Sequence, residues 1–380
     1  MRLFYYWQKT ALESVRDWKI MLMVLLLAPF FIVIMKGYFA AANPAFRMAV
    51  VNEDEGGAEE LSAGLINAWR EAANPDGTPV FDVVVVADAR SAEAKIRGKE
   101  ADLAVRVPPS FSSDLRAFGE TARAPRIVTN IDSSNVRAYT AAALSDYIAF
   151  TFAYAVTDAE APLAVEVQSS GNASNLSEYD QFVPALLVLA IIMVMFTAAA
   201  ALIRENEQRT IMRLALSKLS GVQMMLGVAI EQLFVGTAAL VAAVGAAYLC
   251  GYRPAGSVWI LMPIGAIAVL GVTAVGVMCA AYLKNMFGLL TVGVFPFFMM
   301  MFFSGCMFPL PEIPLFHVWG NVFNLNDFLP TSLAVRAFNR VLNQGASLGD
   351  LGFELSALTA VTFAYLTIAA LWYTKTSDLN

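Results

Sequence analysis

The stretch FVPALLVLAIIMVMFTAAAALI, from Phe182 to Ile203, is followed at once by RENEQR, from Arg204 to Arg209. Its 22 residues hold no ionisable side chain. As a helix rising 1.5 Å per residue they reach about 33 Å, the depth of a bilayer's hydrocarbon core. The charged run that follows marks the point where such a helix returns to water. Five further stretches read the same way: Ile20 to Met35, continuing past Lys36 through Gly37 to Ala42; Val222 to Cys250, interrupted by Glu231; Val258 to Leu283; Met286 to Leu310; and Leu355 to Tyr373. With 58% hydrophobic residues, 15% charged and a mean hydropathy of +0.61, the composition excludes an ordinary soluble enzyme of this length. Three cysteines cannot make a disulfide framework, and one histidine leaves little to hold a metal. A net charge of −6 argues against nucleic acid as a partner.

Charge divides the chain into two materials. Ala41 to Asp180 holds 21 acidic and 11 basic residues, so the remainder carries +4 against a total of −6. The expected fold is an α-helical polytopic membrane protein of about six transmembrane helices, with a mixed α/β extracytoplasmic domain inserted between the first and second. Residues 1–19 read as a cytoplasmic amphipathic interfacial helix, 20–42 as the first span, 43–180 as the outer domain and 181–380 as a five-helix membrane domain. Lys and Arg in short flanking loops mark the cytoplasmic side. Arg2, Lys9, Arg16 and Lys19 in the leader, and Arg204, Arg209, Arg213 and Lys218 after the second span, place both segments and both termini inside. A multi-pass membrane location follows. The basic leader, apolar run and small residues Ala40 to Ala42 imitate a cleaved signal peptide, but the apolar run exceeds the usual length of one. Phe4, Trp7, Ala11, Val15 and Trp18 share one helical face of the leader, as in a helix lying along the membrane surface.

Inside the outer domain, Met48 to Val51, Val80 to Val86, Leu103 to Val107 and Ile127 to Ile131 read as strands, with Val83 to Val86 continuous enough to be buried on both faces. Ala58 to Ala73, Ser91 to Lys99, Phe111 to Phe118 and Val136 to Val156 read as helices. Glu53, Asp54 and Glu55 lack the alternating ligands of a calcium loop and read as a solvated acidic loop. The chain has no GxxxxGK[ST] phosphate loop, no GxSxG elbow and no HExxH pair. No catalytic residue and no metal site is expected, and Cys250, Cys279, Cys306 and His317 read as structural.

The order of leader, span, outer domain and five further spans resembles an ABC type-2 permease, the membrane subunit of a bacterial ABC exporter. Glu205 to Thr210 is similar to that family's E-x-E-x-G-T stretch, with Arg209 in the glycine place. Leu214 to Ser220 is similar to its L-x-x-S-P-x-S segment, with Lys218 in the proline place. Ser304, Gly305, Pro309 and Pro314 match its S-G-x-x-x-P-x-x-x-x-P signature, and Leu329-Pro330-Thr331 follows. VVNED at Val50 to Asp54 and VPPSF at Val107 to Phe111 resemble recurrent phrases of the outer domain.

The resemblance implies location in a bacterial cell (inner) membrane and export of a hydrophobic or amphipathic cargo (drug, lipid or lipid-linked glycan) driven by separate ABC ATPase subunits. The chain itself would be no enzyme and bind no cofactor, since ATP and Mg belong to the partner ATPase. Homodimer or heterodimer with a related permease, contact with membrane lipids and a periplasmic adaptor for the outer domain are the other implied partners. Coupling to the ATPase falls on residues 204–220, with Glu205, Glu207, Arg209, Thr210, Leu214, Ser217 and Lys218, unless the segment is only a solvated loop. The broken stretch 309–330, with Pro309, Pro311 and Pro314, is expected to form two short half-inserted helices capping the path. Phe295, Met299 and Phe303 offer soft apolar surface to cargo or to lipid. Glu231, an acid within the third span, either faces the bundle interior in a functional role or snorkels to the interface. The competing assignment is a non-transporting receptor or envelope-assembly protein of the phage-infection type, which shares this layout with a longer outer region.

Overall fold

The computed structural model describes residues 2–41, 45–54, 59–74, 77–117, 125–132, 135–157, 178–208, 220–283, 285–308, 310–311, 313–318 and 320–377. The chain divides into two compact units, Met1–Tyr38 with Ser169–Asn380, and Phe39–Gln168. Helix α1 (Arg2–Arg16) and helix α2 (Trp18–Ala41) precede the second of these.

The inserted unit is a mixed sheet of β1 (Phe46–Asn52), β2 (Phe81–Val86), β3 (Leu103–Val107) and β4 (Val128–Ile131), in the order β2-β1-β3-β4. Strand β1 pairs parallel with both β2 and β3, and β4 closes the other edge antiparallel to β3. Alternation along β1 sends Met48 and Val50 to one face and Ala49 and Val51 to the other. The first face packs α3 (Glu59–Glu71), α5 (Phe111–Arg116) and α6 (Val136–Thr157) around Leu65, Trp69, Leu103 and Leu115. Trp69 is fully buried and its Nε1 donates to the Ser145 carbonyl at 3.2 Å, so its polar atom is satisfied. The second face carries α4 (Ala89–Arg97), seated through Ala92 on Ala101 and Ala104, whose small side chains let helix and sheet approach closely. Asp88 caps α4 by accepting from the Ser91 N–H at 2.7 Å. Burial alone would raise the Asp102 carboxyl, but the Arg47 backbone N–H, the Arg47 guanidinium and the Asn135 amide together hold it below the usual aspartate value.

The described strand and helix bounds fall close to the expected ones, with one reversal. Strand β2 is an edge, and Val84 and Val85 are each 47% exposed, so its valine run is not buried on both faces. That environment belongs to β1, which has a strand on each side and a helical layer over each face.

The other unit continues with α7 (Glu178–Ile192) and α8 (Val194–Glu207), then α9 (Gly221–Leu249), α10 (Leu261–Tyr282), α11 (Met286–Thr291), α12 (Val294–Phe303), α13 (Pro330–Leu342) and α14 (Gly352–Ser377). Among the described residues, six helical segments are long and apolar enough to cross a membrane: Trp18–Phe39, Tyr179–Glu207, Gly221–Leu249, Val258–Tyr282, Met286–Phe303 and Leu348–Lys375. The second is 94% buried in protein and the first and fifth only 17%, so α7 and α8 form the heart of the bundle while α2 and α12 line its outside. Ser220 opens α9 with a capping box to Gln223, which satisfies the helix's first free N–H groups.

Residues 309–330 do not form the expected pair of half-helices. Their described part is a hairpin, β5 (Pro314–Val318) with β6 (Asn321–Asn324), followed by a 3-10 turn at Leu325–Phe328. The helix of this region is α13, which starts one residue after Leu329 with Pro330 in its first turn. Proline is at home there and breaks helices elsewhere, which is why the segment before it pairs as strands.

Candidate functional site

The charged stretch after the second span is built into a junction. Helix α1 lies against α9 and α8, presenting Tyr6 and Thr10, both buried, while Phe4, Val15 and Trp18 remain exposed. The approach is close enough that a Cβ on Gly227 of α9 would stand 2.5 Å from Tyr6 Cδ1. Any larger residue there must displace the Tyr6 ring. Thr10 Oγ1 donates to the Tyr6 carbonyl at 3.0 Å, an internal bond that satisfies this buried hydroxyl.

Charge fastens the same seam. Glu205, 3% exposed, accepts from Lys9 Nζ, which also pairs with Glu13 at 3.5 Å. Arg204 pairs with Asp17 at the end of the leader. Glu207 turns the other way, and its Oε1 accepts from the Met286 backbone N–H at 2.8 Å, at the start of α11. One turn of α8 therefore holds the leader through Arg204 and Glu205 and the fifth span through Glu207. One layer further in, Glu231 is 2% exposed and Gln232 is fully buried. Gln232 Nε2 donates to Glu231, and Thr197 Oγ1 on α8 donates to Gln232 Oε1 at 2.6 Å. Ser14 on α1 and Arg204 on α8 also interact with Glu231. A cavity of about 20 Å³ among Thr10, Glu13, Ser14, Asp17, Thr197 and Arg204 has room for one water. Glu231 Oε1 has no hydrogen-bond partner among the described residues, and a buried carboxylate with an unmet oxygen costs stability, so this network is sensitive to any disturbance of the three helices it joins.

The other proposed residues are not gathered at this junction. Phe295, Met299 and Phe303 lie four apart on α12 and are 70%, 41% and 47% exposed, forming an outward apolar stripe. Pro311 is exposed just before the hairpin and Pro314 is exposed as its first residue. Arg209, Thr210, Leu214, Ser217, Lys218 and Pro309 lie outside the described residues. Between the hairpin and α14 is an apolar cavity of about 470 Å³, lined by Phe316, Phe323, Phe328, Phe353 and Tyr365 among others. Its wall is set by Phe316 stacked on Phe323, ring centroids 4.9 Å apart and planes 8° from parallel. Behind it, Asp327 accepts from Arg336 at 2.7 and 3.0 Å, and Glu354 from Arg340 at 2.7 Å.

Lys9, Asp17, Gln232, Asp327 and Glu354 went unnoticed in the sequence as site residues. The spacing Lys9, Glu13, Asp17, and that of Arg336 and Arg340, puts each set on one helical face, a signal that says a charged stripe exists but not what it meets. Among the described residues no group of three His, Cys, Asp or Glu side chains is placed to hold a metal ion.

No curated protein and no solved structure matches the chain. The family described as ABC-2 family transporter protein matches residues 18–371. That match takes in five whole spans and most of the sixth, the inserted unit, the charged turn of α8 and the hairpin, and the chain belongs to the ABC-2 transporter family as its multi-pass membrane component.

Proposed function

We propose that this chain is the permease subunit of an ATP-driven exporter, moving a hydrophobic or amphipathic cargo outward while separate ATPase subunits bind and hydrolyse ATP. The observation that carries the reading is the ion-paired junction of α1, α8 and the start of α11. The ATPase would press on residues 208–220, the stretch of chain between α8 and α9. Force applied there reaches the leader through Arg204 and Glu205 and the fifth span through Glu207, and it reaches the third span through Glu231. Supporting an apolar cargo, the cavity under the hairpin lies within the usual volume range of small-molecule sites and is lined almost wholly by carbon. On this reading Phe295, Met299 and Phe303 line the path, the hairpin caps it, two copies or a pair of related permeases complete it, and the inserted domain faces outward.

Charge reversal tests the coupling. Glu205→Lys with Glu207→Lys is expected to lower transport by about tenfold or more while the ATPase still turns over. Adding Lys9→Glu to the Glu205→Lys variant restores the leader pair in reverse and is expected to recover part of the transport, which a merely misfolded protein would not do. Unchanged transport in the double reversal would remove these residues from the coupling path.

A further inference from the structure

Helix α14 buries Leu358, Thr362 and Ala369 against the bundle, where Thr362 Oγ1 donates to the Ile267 carbonyl of α10 at 3.3 Å. Phe353, Ala357, Ala360, Ala364 and Ile368, spaced four, three, four and four apart, share a different face of the helix, well over a quarter turn away. They form the floor of the cavity beneath the hairpin. Three alanines in the middle of the row hollow it into a trough, with Phe353 at one end and Ile368 at the other. Its roof is a run of rings, Phe316 stacked on Phe323 and Phe328 edge-on to Phe323 with centroids 5.3 Å apart.

Chemistry, shape and surroundings each narrow what fills this trough. Of the lining side chains only Ser356 and Tyr365 carry a polar atom, and Ser356 Oγ already donates to the Phe353 carbonyl at 2.9 Å. A ligand rich in polar groups would give up their water and find the Tyr365 hydroxyl alone in return. The trough is also long and thin. Phe353 to Ile368 is a rise of about 22 Å, and a volume of about 470 Å³ spread over that length gives a mean section of about 21 Å², too narrow for an α-helix about 10–12 Å across with its side chains. A lipid tail, which covers half of a hydrocarbon core about 30 Å thick, is short enough to lie within it. The surroundings supply such a tail, since only 22% of the span Leu348–Lys375 is buried in protein and Ala360 and Ala364 are exposed. Left unfilled, the trough would be a void whose walls forfeit their dispersion contacts, and a hydrocarbon chain is the component of the bilayer thin enough to fill it.

We propose that the trough between α14 and the aromatic roof binds the acyl chain of a bilayer phospholipid, laid along the helix between Phe353 and Ile368. The site itself stands on the apolar span and the cavity. Its consequence for transport rests on the permease reading: the cargo narrows from any apolar molecule to one that carries a long hydrocarbon chain.

Photolabelling tests the site. The full-length chain is reconstituted in nanodiscs of phosphatidylethanolamine and phosphatidylglycerol, a small fraction of which carries a diazirine near the end of one acyl chain, and adducts are mapped by peptide mass spectrometry after irradiation. Exposed Phe295, Met299 and Phe303 on α12 report lipid that merely surrounds the protein. Adducts on Ala360, Ala364 and the three roof rings are expected at about tenfold the α12 yield, equivalent to a preference of about 1.4 kcal/mol. Ala360→Trp fills the trough from an exposed position and is expected to cut the roof adducts about tenfold while α12 labelling stays the same. Ala364→Phe, one turn on, is expected to do likewise, and Thr359→Trp, exposed on a face away from the trough, to change neither. Trough labelling no higher than that of α12 would overturn the proposal, as would roof labelling that survives both filling variants in chains that keep their thermal midpoint. With the ATPase bound, ATP is expected to lower the trough adducts as the chain moves on; adducts that stay the same would remove the lipid from the cargo. Labelling needs no ATPase, so a labelled trough with no ATPase co-purifying fails the permease reading alone, and a co-purifying ATPase with an unlabelled trough fails this proposal alone.

Discussion

Replacing Asp327 with alanine is expected to destabilise the membrane unit by about 3 kcal/mol, the low end of the range for breaking a buried ion pair. Asp327 has no exposed surface, and its two oxygens take the Arg336 guanidinium at 2.7 and 3.0 Å and the Asn324 backbone N–H at 2.8 Å. Truncation leaves the cation facing a low-dielectric space and the turn before α13 without its capping acceptor. The Arg336 side chain keeps 25% of its surface, which gives it some water and sets the estimate at the low end. Asp327→Asn retains an acceptor for Asn324 and is expected to cost less. Thermal unfolding in mild detergent reads the difference, and equal midpoints for Asp327→Ala and the unmodified chain would show that the pair does not hold the hairpin to α13.

Gly276→Leu is the second large effect. On α10, a Cβ at residue 276 would stand 2.7 Å from the Met195 carbonyl oxygen, 2.9 Å from Ala198 Cβ and 3.2 Å from the Ala199 nitrogen. Two of these are backbone atoms of α8, so no rotamer change relieves the clash and the helices themselves must part. Overpacking of this kind costs roughly 1–3 kcal/mol or more. Here it falls on the contact between the most buried span and its neighbour. Close helix contact through small residues is how membrane bundles pack when lipid supplies no hydrophobic drive between helices. The control is Gly245→Leu on α9, where nothing lies within 4 Å of an added Cβ. Gly276→Leu is expected to be lost from the membrane fraction or to elute as an expanded species, whereas Gly245→Leu should accumulate normally. Equal accumulation of both would contradict the packing described.

The membrane part of the fold was legible because its constraint is one-dimensional. A span must be apolar for its whole length, so Phe182 to Ile203 shows itself without any knowledge of its neighbours. Strand and helix bounds of the inserted unit were nearly as plain, since β-branched runs and turn residues are local. Sheet order was not. The run at Val83 to Val86 is more uniformly β-branched than Met48 to Val51, yet β1 holds the centre, because position in a sheet depends on which strands pair. The hairpin was misread for a related reason. Pro311 and Pro314 read as helix interruptions, while Gly320, at φ +78°, and Asn321 held a turn signal between two apolar runs. At the site, Glu205 and Glu207 were visible as a charged motif, but their structural partners were not. Lys9 lies 196 residues from Glu205 and Met286 lies 79 from Glu207, distances that no spacing rule spans.

On the proposed reading an ATPase drives this chain. Affinity purification of the tagged full-length protein in mild detergent, followed by identification of what co-elutes and an assay of ATP hydrolysis, tests it most directly. The account predicts a stoichiometric protein with a phosphate loop whose ATPase activity is recovered with the wild-type chain and whose association is lost when residues 209–219 are replaced by a flexible linker. A folded, dimeric chain that brings down no ATPase would contradict it and transfer the assignment to a non-transporting receptor or envelope-assembly protein.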